Sequence, residues 1–466
     1  MNQNHKLGTA TGIASILGLM LIASSLLTIT QGININAPIF FIALIISYLL
    51  MMCQSTSFAE LASFIPTEGA VYDYVTAGMG RFWGITATLA AYVIVTCFAS
   101  SAEVAAAGLF AQANFPFLNF IPVEQSYIIG WVIVLICILI NIRGLEVFAV
   151  SENIMSYFKY TVLLVLGLIG LVIAPKVDTS NFWAGFDIAK DWMSILSMIG
   201  FTLFLFVGAE YVTPLAPEMK DPNKNIPQSL FGGLTLALVG MLIFGAGIVR
   251  QVPNVIVDEA TQTTLLDTPD ASLAFGEAVL GNVGKWGFIL LIFVATVALI
   301  NMLIASIPRI LQGMAKDKML PAIFAKEHPK YKTPYVGIIF IGLIPMIGSF
   351  LMGTNIDGVF QLILAAICSW IFFYLLVNIS VILLRRRRPD IHRPFKTPCY
   401  PLPQLLAIVG LFITFFFLTP PFLKASQIYI PFFIMLAICA IYAFIWLKRM
   451  KVDLWKPVEP EEILSP

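Results

Sequence analysis

The sequence is poor in charge. Lysine, arginine, aspartate and glutamate make up 11% of the 466 residues, against 59% hydrophobic residues, and mean hydropathy is +0.91. A soluble domain carries about 25% charged residues. So many apolar side chains cannot be covered in water, which excludes a soluble fold of this length. Histidine is nearly absent. His5, His328 and His392 all lie outside the apolar stretches, so a histidine-based catalyst inside them is excluded. No G-x-x-x-x-G-K-[ST] run is present, which removes the phosphate cradle of a nucleotide-driven pump. Neither is there a spaced cysteine set. Cys53, Cys97, Cys137, Cys368 and Cys439 sit in apolar stretches and Cys399 in a loop. This is no disulfide framework or zinc pattern; each reads as a small buried hydrophobe, and no metal or cofactor is expected. Net charge is +1, so no general attraction to nucleic acid follows. The start, Met1 to Gly8, is short and polar, and the apolar run from Ile13 to Ile29 lacks a good cleavage site. It reads as a retained helix.

What is abundant is long apolar stretches. A transmembrane helix needs about 20 mostly apolar residues, and about twelve such stretches are found. They centre near Leu21, Leu49, Val95, Ile133, Val165, Leu203, Leu238, Leu291, Ile341, Ile371, Leu411 and Leu436. None alternates with a period of two, which argues against a β-barrel. The expected class is an all-α integral membrane protein. With the N-terminus placed inside, all of the 27 basic residues fall on inner segments except Lys176, Lys190, Arg250, Lys285 and Lys424. By the positive-inside rule both termini are expected in the cytoplasm. Arg385 to Arg388 read as an anchor at that surface, with membrane lipid as the expected neighbour. The longest outer loop, Val252 to Asn282, is acidic and Thr-rich; it is expected to be solvated, with room for a short helix over the outer mouth.

Charge inside hydrocarbon costs about 2.5–3.5 kcal/mol even on lenient scales, so each instance needs a reason. Glu103 and Glu210 fall within apolar stretches, and Lys159 sits at the inner part of the fifth. Gly208 precedes Glu210, while Pro214 and Pro217 follow it. Glycine weakens a helix and proline removes donors, so the sixth span is expected to break near its middle. A break in lipid must face a cavity, a ligand or a neighbouring helix. Glu103 lies about 22 residues past Arg81, roughly 33 Å along a helix. An upright third span puts it in the outer headgroups and a tilted one puts it deeper. By position alone Lys159 reads as a lysine that snorkels to the interface. Small hydroxyl residues at Ser24, Ser25, Thr28 and Thr30 suit either close packing or ligand contact.

The loops are more specific. Phe58 to Tyr72 (FAELASFIPTEGAVY), Gly80 to Gly84 (GRFWG), Glu218 to Pro227 (EMKDPNKNIP), Arg309 to Pro321 with His328 to Pro334, and Arg393 to Pro401 resemble, in order, signatures of the amino acid–polyamine–organocation superfamily, bacterial type. The resemblance spans nearly the whole chain. It implies a LeuT-like 5+5 inverted repeat with broken helices 1 and 6: residues 11–175 and 192–385 as the repeats and 402–450 as two additional helices. It also implies a permease, not an enzyme, that moves amino acids by alternating access with proton coupling or by exchange. Substrate would lie at the midplane between the breaks, with helix N-termini presenting N–H groups to a carboxylate.

Residue by residue, the family's Gly-Ser-Gly at the first break corresponds to Ala23-Ser24-Ser25, with two glycines lost. Phe206, Gly208 and Glu210 fit its F-x-G-x-E. The resemblance therefore implies that Ala23, Ser24, Ser25 and Leu26, with Phe206, Val207, Gly208 and Ala209, hold the α-amino and α-carboxylate groups. Phe206 would be the gate, and Glu210 would respond to protonation or bind a second amine. Asn153 to Lys159 resembles the fifth-helix pattern in which lysine is a proton site. Asn301 falls where the eighth helix is often polar, and Glu103 remains a further candidate. A polyamine or cationic amine exchanger is the alternative within transporters, and a non-transporting amino acid sensor the alternative outside them. No disulfide-linked heavy chain is expected, because the loop from Gln112 to Gln125 has no cysteine.

Overall fold

A computed structural model describes residues 7–143, 146–180, 182–253, 255–259, 262–268, 270–352, 356–420 and 423–464. His5 and Lys6 lie outside the described residues. The helices in chain order are α1 (Thr9–Met20), α2 (Ala23–Phe64), α3 (Val71–Met79), α4 (Arg81–Thr88), α5 (Ser101–Asn114), α6 (Tyr127–Arg143), α7 (Glu146–Val172), α8 (Ile188–Phe204), α9 (Pro222–Gln251), α10 (Asp270–Lys316), α11 (Tyr335–Met352), α12 (Ile356–Arg387), α13 (Leu402–Phe416), α14 (Ala425–Met450) and α15 (Pro460–Leu464). Among the described residues nine helical segments are long and apolar enough to cross a membrane. Thr9–Met20, Tyr335–Leu351 and Leu402–Phe416 are shorter apolar helices. The expected centre at Leu21 falls in the gap between α1 and α2, and the other expected centres fall within helices. The chain is thus a multi-span all-α membrane protein.

Local sequence explains where the helices bend. Inside α2, Asn36 leaves helical geometry (φ −168°, ψ 102°) two residues before Pro38. Its side-chain oxygen accepts from the Ile39 N–H at 3.1 Å and so restarts the helix. Two π-helical turns, Leu89–Ile94 and Thr96–Ser100, link α4 to α5 within one span. The segment after α9 holds a short hairpin (β1, Ile256–Asp258; β2, Thr263–Thr264). It also holds the beginning of α10, which bends at Leu280 and Gly281. The acidic outer stretch expected as loop therefore includes a helix, as its composition allowed.

The loop signatures meet one another in space. Glu60, from the first of them, is buried at the end of α2. Arg385 donates to it from Nε (2.7 Å) and Nη2 (2.6 Å), and the Thr397 N–H donates at 3.0 Å. Arg393 Nε stands 3.4 Å away. Glu218 accepts from Arg309 at 3.1 Å. Leu7 and residues 218–220 exchange backbone hydrogen bonds, both 2.9 Å. The C-terminal segment lies at the same end: Phe82 donates to the Leu454 carbonyl, and Arg388 pairs with Glu459 and Glu461. Residues of all five signatures thus enter this network, which also holds both ends of the described chain.

Removing one partner of a buried charge pair typically costs about 3–5 kcal/mol, because the other charge stays buried. Glu60→Ala is accordingly expected to lower the thermal unfolding midpoint of the detergent-solubilised protein markedly, with Glu60→Gln intermediate. An unchanged midpoint for Glu60→Ala would show that Arg385 and Arg393 find other partners.

Candidate functional site

Two helix breaks lie inside the bundle. The first is at Leu21 and Ile22, between α1 and α2. Ile22 is extended (φ −124°, ψ 168°), and α2 begins at Ala23 with no capping side chain of its own. The first N–H groups of a helix have no partner within it, and lipid offers none. Here Glu103 supplies them. Its Oε1 accepts from the Ala23 N–H (3.0 Å) and the Thr296 hydroxyl (2.8 Å). Its Oε2 accepts from the Ser24 N–H (3.0 Å) and the Ser24 hydroxyl (2.9 Å). Glu103 is fully buried. Of the two placements open in the sequence, the headgroup one is therefore corrected: the third span carries Glu103 into the interior, against the first break. A carboxylate there complements the positive end of α2.

The opposite lip of this break is the C-terminus of α1. Lys159, on α7, is also fully buried and donates from Nζ to the Gly18 carbonyl at 2.6 Å. A cation at a helix C-terminus is favourable. The snorkelling reading of Lys159 is corrected by this: the ammonium turns inward because α1 ends there and leaves carbonyls to satisfy. Asn153 on the same helix donates to the Thr11 hydroxyl at 3.3 Å.

The second break follows α8. Leu205 to Gly208 form turns, and a 3₁₀ segment, Ala209–Glu218, continues through Pro214 and Pro217. Gly208 has φ +97°, a region that other residues enter only with strain. Glu210 Oε2 accepts from the Gly208 N–H (3.1 Å) and the Tyr374 hydroxyl (2.6 Å), and Oε1 accepts from Trp370 Nε1–H (2.9 Å). Glu210 therefore fastens the broken span to α12. Tyr211 donates to the Ala91 carbonyl at 3.2 Å, which joins the same span to a π-helical turn.

Between the breaks is a cavity of about 20 Å³, room for about one water. Leu19, Ile22, Val95, Ala99, Phe204, Val207, Gly208, Tyr211, Leu299, Leu303 and Trp370 line it. The site is thus closed down in this conformation and its wall is mostly apolar.

Of the residues expected here, the structure brings Ala23, Ser24, Gly208, Val207, Glu103 and Glu210 to the breaks or the cavity. Ser25 and Leu26 donate their N–H groups to the Ile22 carbonyl at 3.1 and 3.2 Å, already within the helix. The Ser25 hydroxyl is buried without a hydrogen-bond partner among the described residues. Ala209 is buried at the start of the 3₁₀ segment. Phe206 does not line the cavity. Its ring packs 6.0 Å from that of Tyr48, and Phe204 takes the cavity wall instead, because the turns after α8 rotate successive side chains to different faces. Asn301 likewise faces elsewhere, accepting from Asn141 on α6 at 2.7 Å. Sequence reasoning missed Trp370, Tyr374 and Thr296. Trp370 and Tyr374 had a signal: polar-tipped aromatics four apart in an apolar run need partners when buried.

The pattern has counterparts among known proteins. A family described as "Amino acid permease" matches residues 7–447. The serine/threonine exchanger SteT of Bacillus subtilis is 27% identical over 78% of this chain and 79% of its own. From the same organism, the branched-chain amino acid permease BcaP is 25% identical over 86% of this chain and 84% of its own. The methylthioribose transporter is 25% identical over 81% of each.

A left-handed residue other than glycine costs about 1–2 kcal/mol. A Cβ on Gly208 would meet only Leu19 at 3.5 Å, so backbone strain and not collision sets the penalty. Gly208→Ala is expected to destabilise the protein by about that amount, read as a lower unfolding midpoint. Wild-type stability would mean that the turn re-forms without positive φ.

Proposed function

Since the chain belongs to the amino acid permease family, we propose that it carries a neutral amino acid with an apolar side chain across a cell membrane by alternating access. The observation that carries this reading is the pair of helix breaks facing one apolar cavity, with backbone groups at both that are met by side chains and not by the helix itself. An α-carboxylate needs N–H donors and an α-amine needs carbonyls, and helix breaks supply both. The cavity wall offers the side chain only apolar and aromatic surface. The roles by which two bacterial relatives are named, serine/threonine exchange and branched-chain amino acid transport, support a neutral amino acid, and the second supports an apolar side chain.

The two breaks fall at corresponding places in residues 11–175 and 192–385, which we read as inverted repeats, with 402–450 appended. We place both termini in the cytoplasm, where the basic end of the bundle meets anionic lipid. The chain acts as a carrier and not as an enzyme. Lys159 and Glu210 hold the broken spans to α7 and α12, so they are positioned to link proton movement to motion of those spans. Motion of α1 must release the Lys159–Gly18 contact, and closure must restore it.

The test is uptake into liposomes by purified protein, with L-leucine, L-serine, L-glutamate and putrescine offered singly, with and without an inward proton gradient. Leucine uptake exceeding that of glutamate and putrescine, driven by the gradient and lost in Lys159→Ala, is expected. Uptake of putrescine alone would replace this reading with an amine exchanger, and absence of all flux would reject transport of these solutes.

A further inference from the structure

The N-terminus of α2 is where an amino acid's carboxylate would bind, and it is already occupied. Both first N–H groups, Ala23 and Ser24, donate to Glu103, as do the hydroxyls of Ser24 and Thr296. Each Glu103 oxygen takes one N–H and one hydroxyl. The side chain is fully buried, and these contacts bridge α5, α2 and α10. The Ala23 and Ser24 donors are therefore taken, and a second anion could use these two N–H groups only by displacing Glu103. Two carboxylates on one pair of N–H groups in a buried site would repel strongly, and one of them must become neutral.

We propose that Glu103 is an internal occupant of the substrate-carboxylate subsite: the amino acid carboxylate and the Glu103 carboxylate take turns on the Ala23 and Ser24 N–H groups, and each bound amino acid is accompanied by one proton on Glu103. The inference rests on the amino acid reading above and deepens it by placing the coupled proton. The step balances simply. A proton from the aqueous side adds to a Glu103 oxygen, the neutral carboxyl releases its N–H donors, and the substrate carboxylate accepts them. The anion on the N–H pair is unchanged, since one carboxylate replaces another; the site gains one positive charge, the coupled proton's, which appears as the amino acid's ammonium and is met by carbonyls at the helix C-termini. On the far side the amino acid leaves, Glu103 loses its proton there and returns to the N–H pair. The empty carrier is thereby held shut by its own carboxylate, which agrees with the small cavity.

Few other titratable groups face Glu103. Of the elements packed on α5, α6 carries Tyr127, Cys137 and, at its end, Arg143; the adjoining π-helical turn carries Cys97; and α12 carries Asp357 in its first turn, Cys368, Tyr374 and, in its last turn, Arg385 to Arg387. The acid of α2, Glu60, is paired with Arg385 at the basic end. The acids and bases of α10 (Asp270, Glu277, Lys285, Arg309 and Lys316) are distant from Thr296 in sequence, and α11 carries Tyr335 at its first residue. Lys159 serves the other lip of the break through Gly18, and Glu210 serves the second break.

The experiment is equilibrium binding of L-leucine to purified protein across pH 5 to 8, with 3-methylbutylamine, its decarboxylated form, as the paired probe. One linked proton makes leucine affinity fall about tenfold per pH unit wherever the proton must be taken up on binding. The amine, with no carboxylate, is expected to show no such slope. Glu103→Gln removes the charge, and its amide N–H₂ cannot accept from the second N–H. It is expected to bind leucine more tightly at pH 8 than wild type and without the slope. Thr296→Val removes one donor and is expected to tighten leucine binding while keeping the slope, so the idea stays testable should Glu103→Gln fail to fold. A wild-type slope that persists in Glu103→Gln, or leucine binding independent of pH in wild type, would overturn the proposal while leaving amino acid transport intact. Binding of the amine but of no amino acid at any pH would instead overturn the amino acid reading itself.

Discussion

A helix that breaks inside a membrane leaves N–H and C=O groups that lipid cannot satisfy, and most of this site follows from how those groups are met. At the first break a carboxylate from the third span takes the N–H groups of α2, while a lysine from α7 takes a carbonyl at the end of α1. At the second, Glu210 takes the Gly208 N–H and is itself held by Trp370 and Tyr374. Opposite charges thus sit at opposite helix ends, each where the helix dipole favours it. Without them, each unpaired backbone group would cost several kcal/mol in hydrocarbon.

These partners come from different spans, which makes the breaks mechanically informative. Glu103 links α2 to α5 and α10; Lys159 links α1 to α7; Glu210 links the 3₁₀ segment after α8 to α12. Movement of a broken half-helix must exchange one of these partners for another. A substrate with its own carboxylate and ammonium offers such replacements, so binding and motion share the same donors and acceptors. The basic end plays the opposite part. There Glu60, Arg385, Arg393 and Thr397 form a buried cluster that holds α2, α12 and the following loop together.

Much of the fold was legible because it is written in composition and spacing. The apolar stretches locate the helices, and Gly208 with Pro214 and Pro217 locate the second break. The loop signatures name residues, Glu60 and Arg393 among them, that turn out to touch. The first break was less legible from physics alone: Ala23-Ser24-Ser25 contains neither glycine nor proline, and only the family resemblance marked it. The placement of Glu103 depends on the depth of the third span, which two π-helical turns help to set and which no local pattern announces. The facing of Phe206 and Asn301 depends on rotation about helices, and one sequence does not fix which side of an apolar span meets a cavity. The carboxylates and the lysine were conspicuous as charges in hydrocarbon; their partners Thr296, Trp370 and Gly18 were not, because hydroxyls, indoles and carbonyls are ordinary in such spans.

The central claim is that the N–H groups of Ala23 and Ser24 belong in turn to Glu103 and to the transported molecule. A structure of the protein with bound L-leucine, determined experimentally at a resolution that shows carboxylate orientation, tests this most directly. The account predicts the leucine carboxylate on those two N–H groups and the Glu103 side chain withdrawn from them. Leucine bound in the bundle with all four Glu103 contacts intact would contradict it.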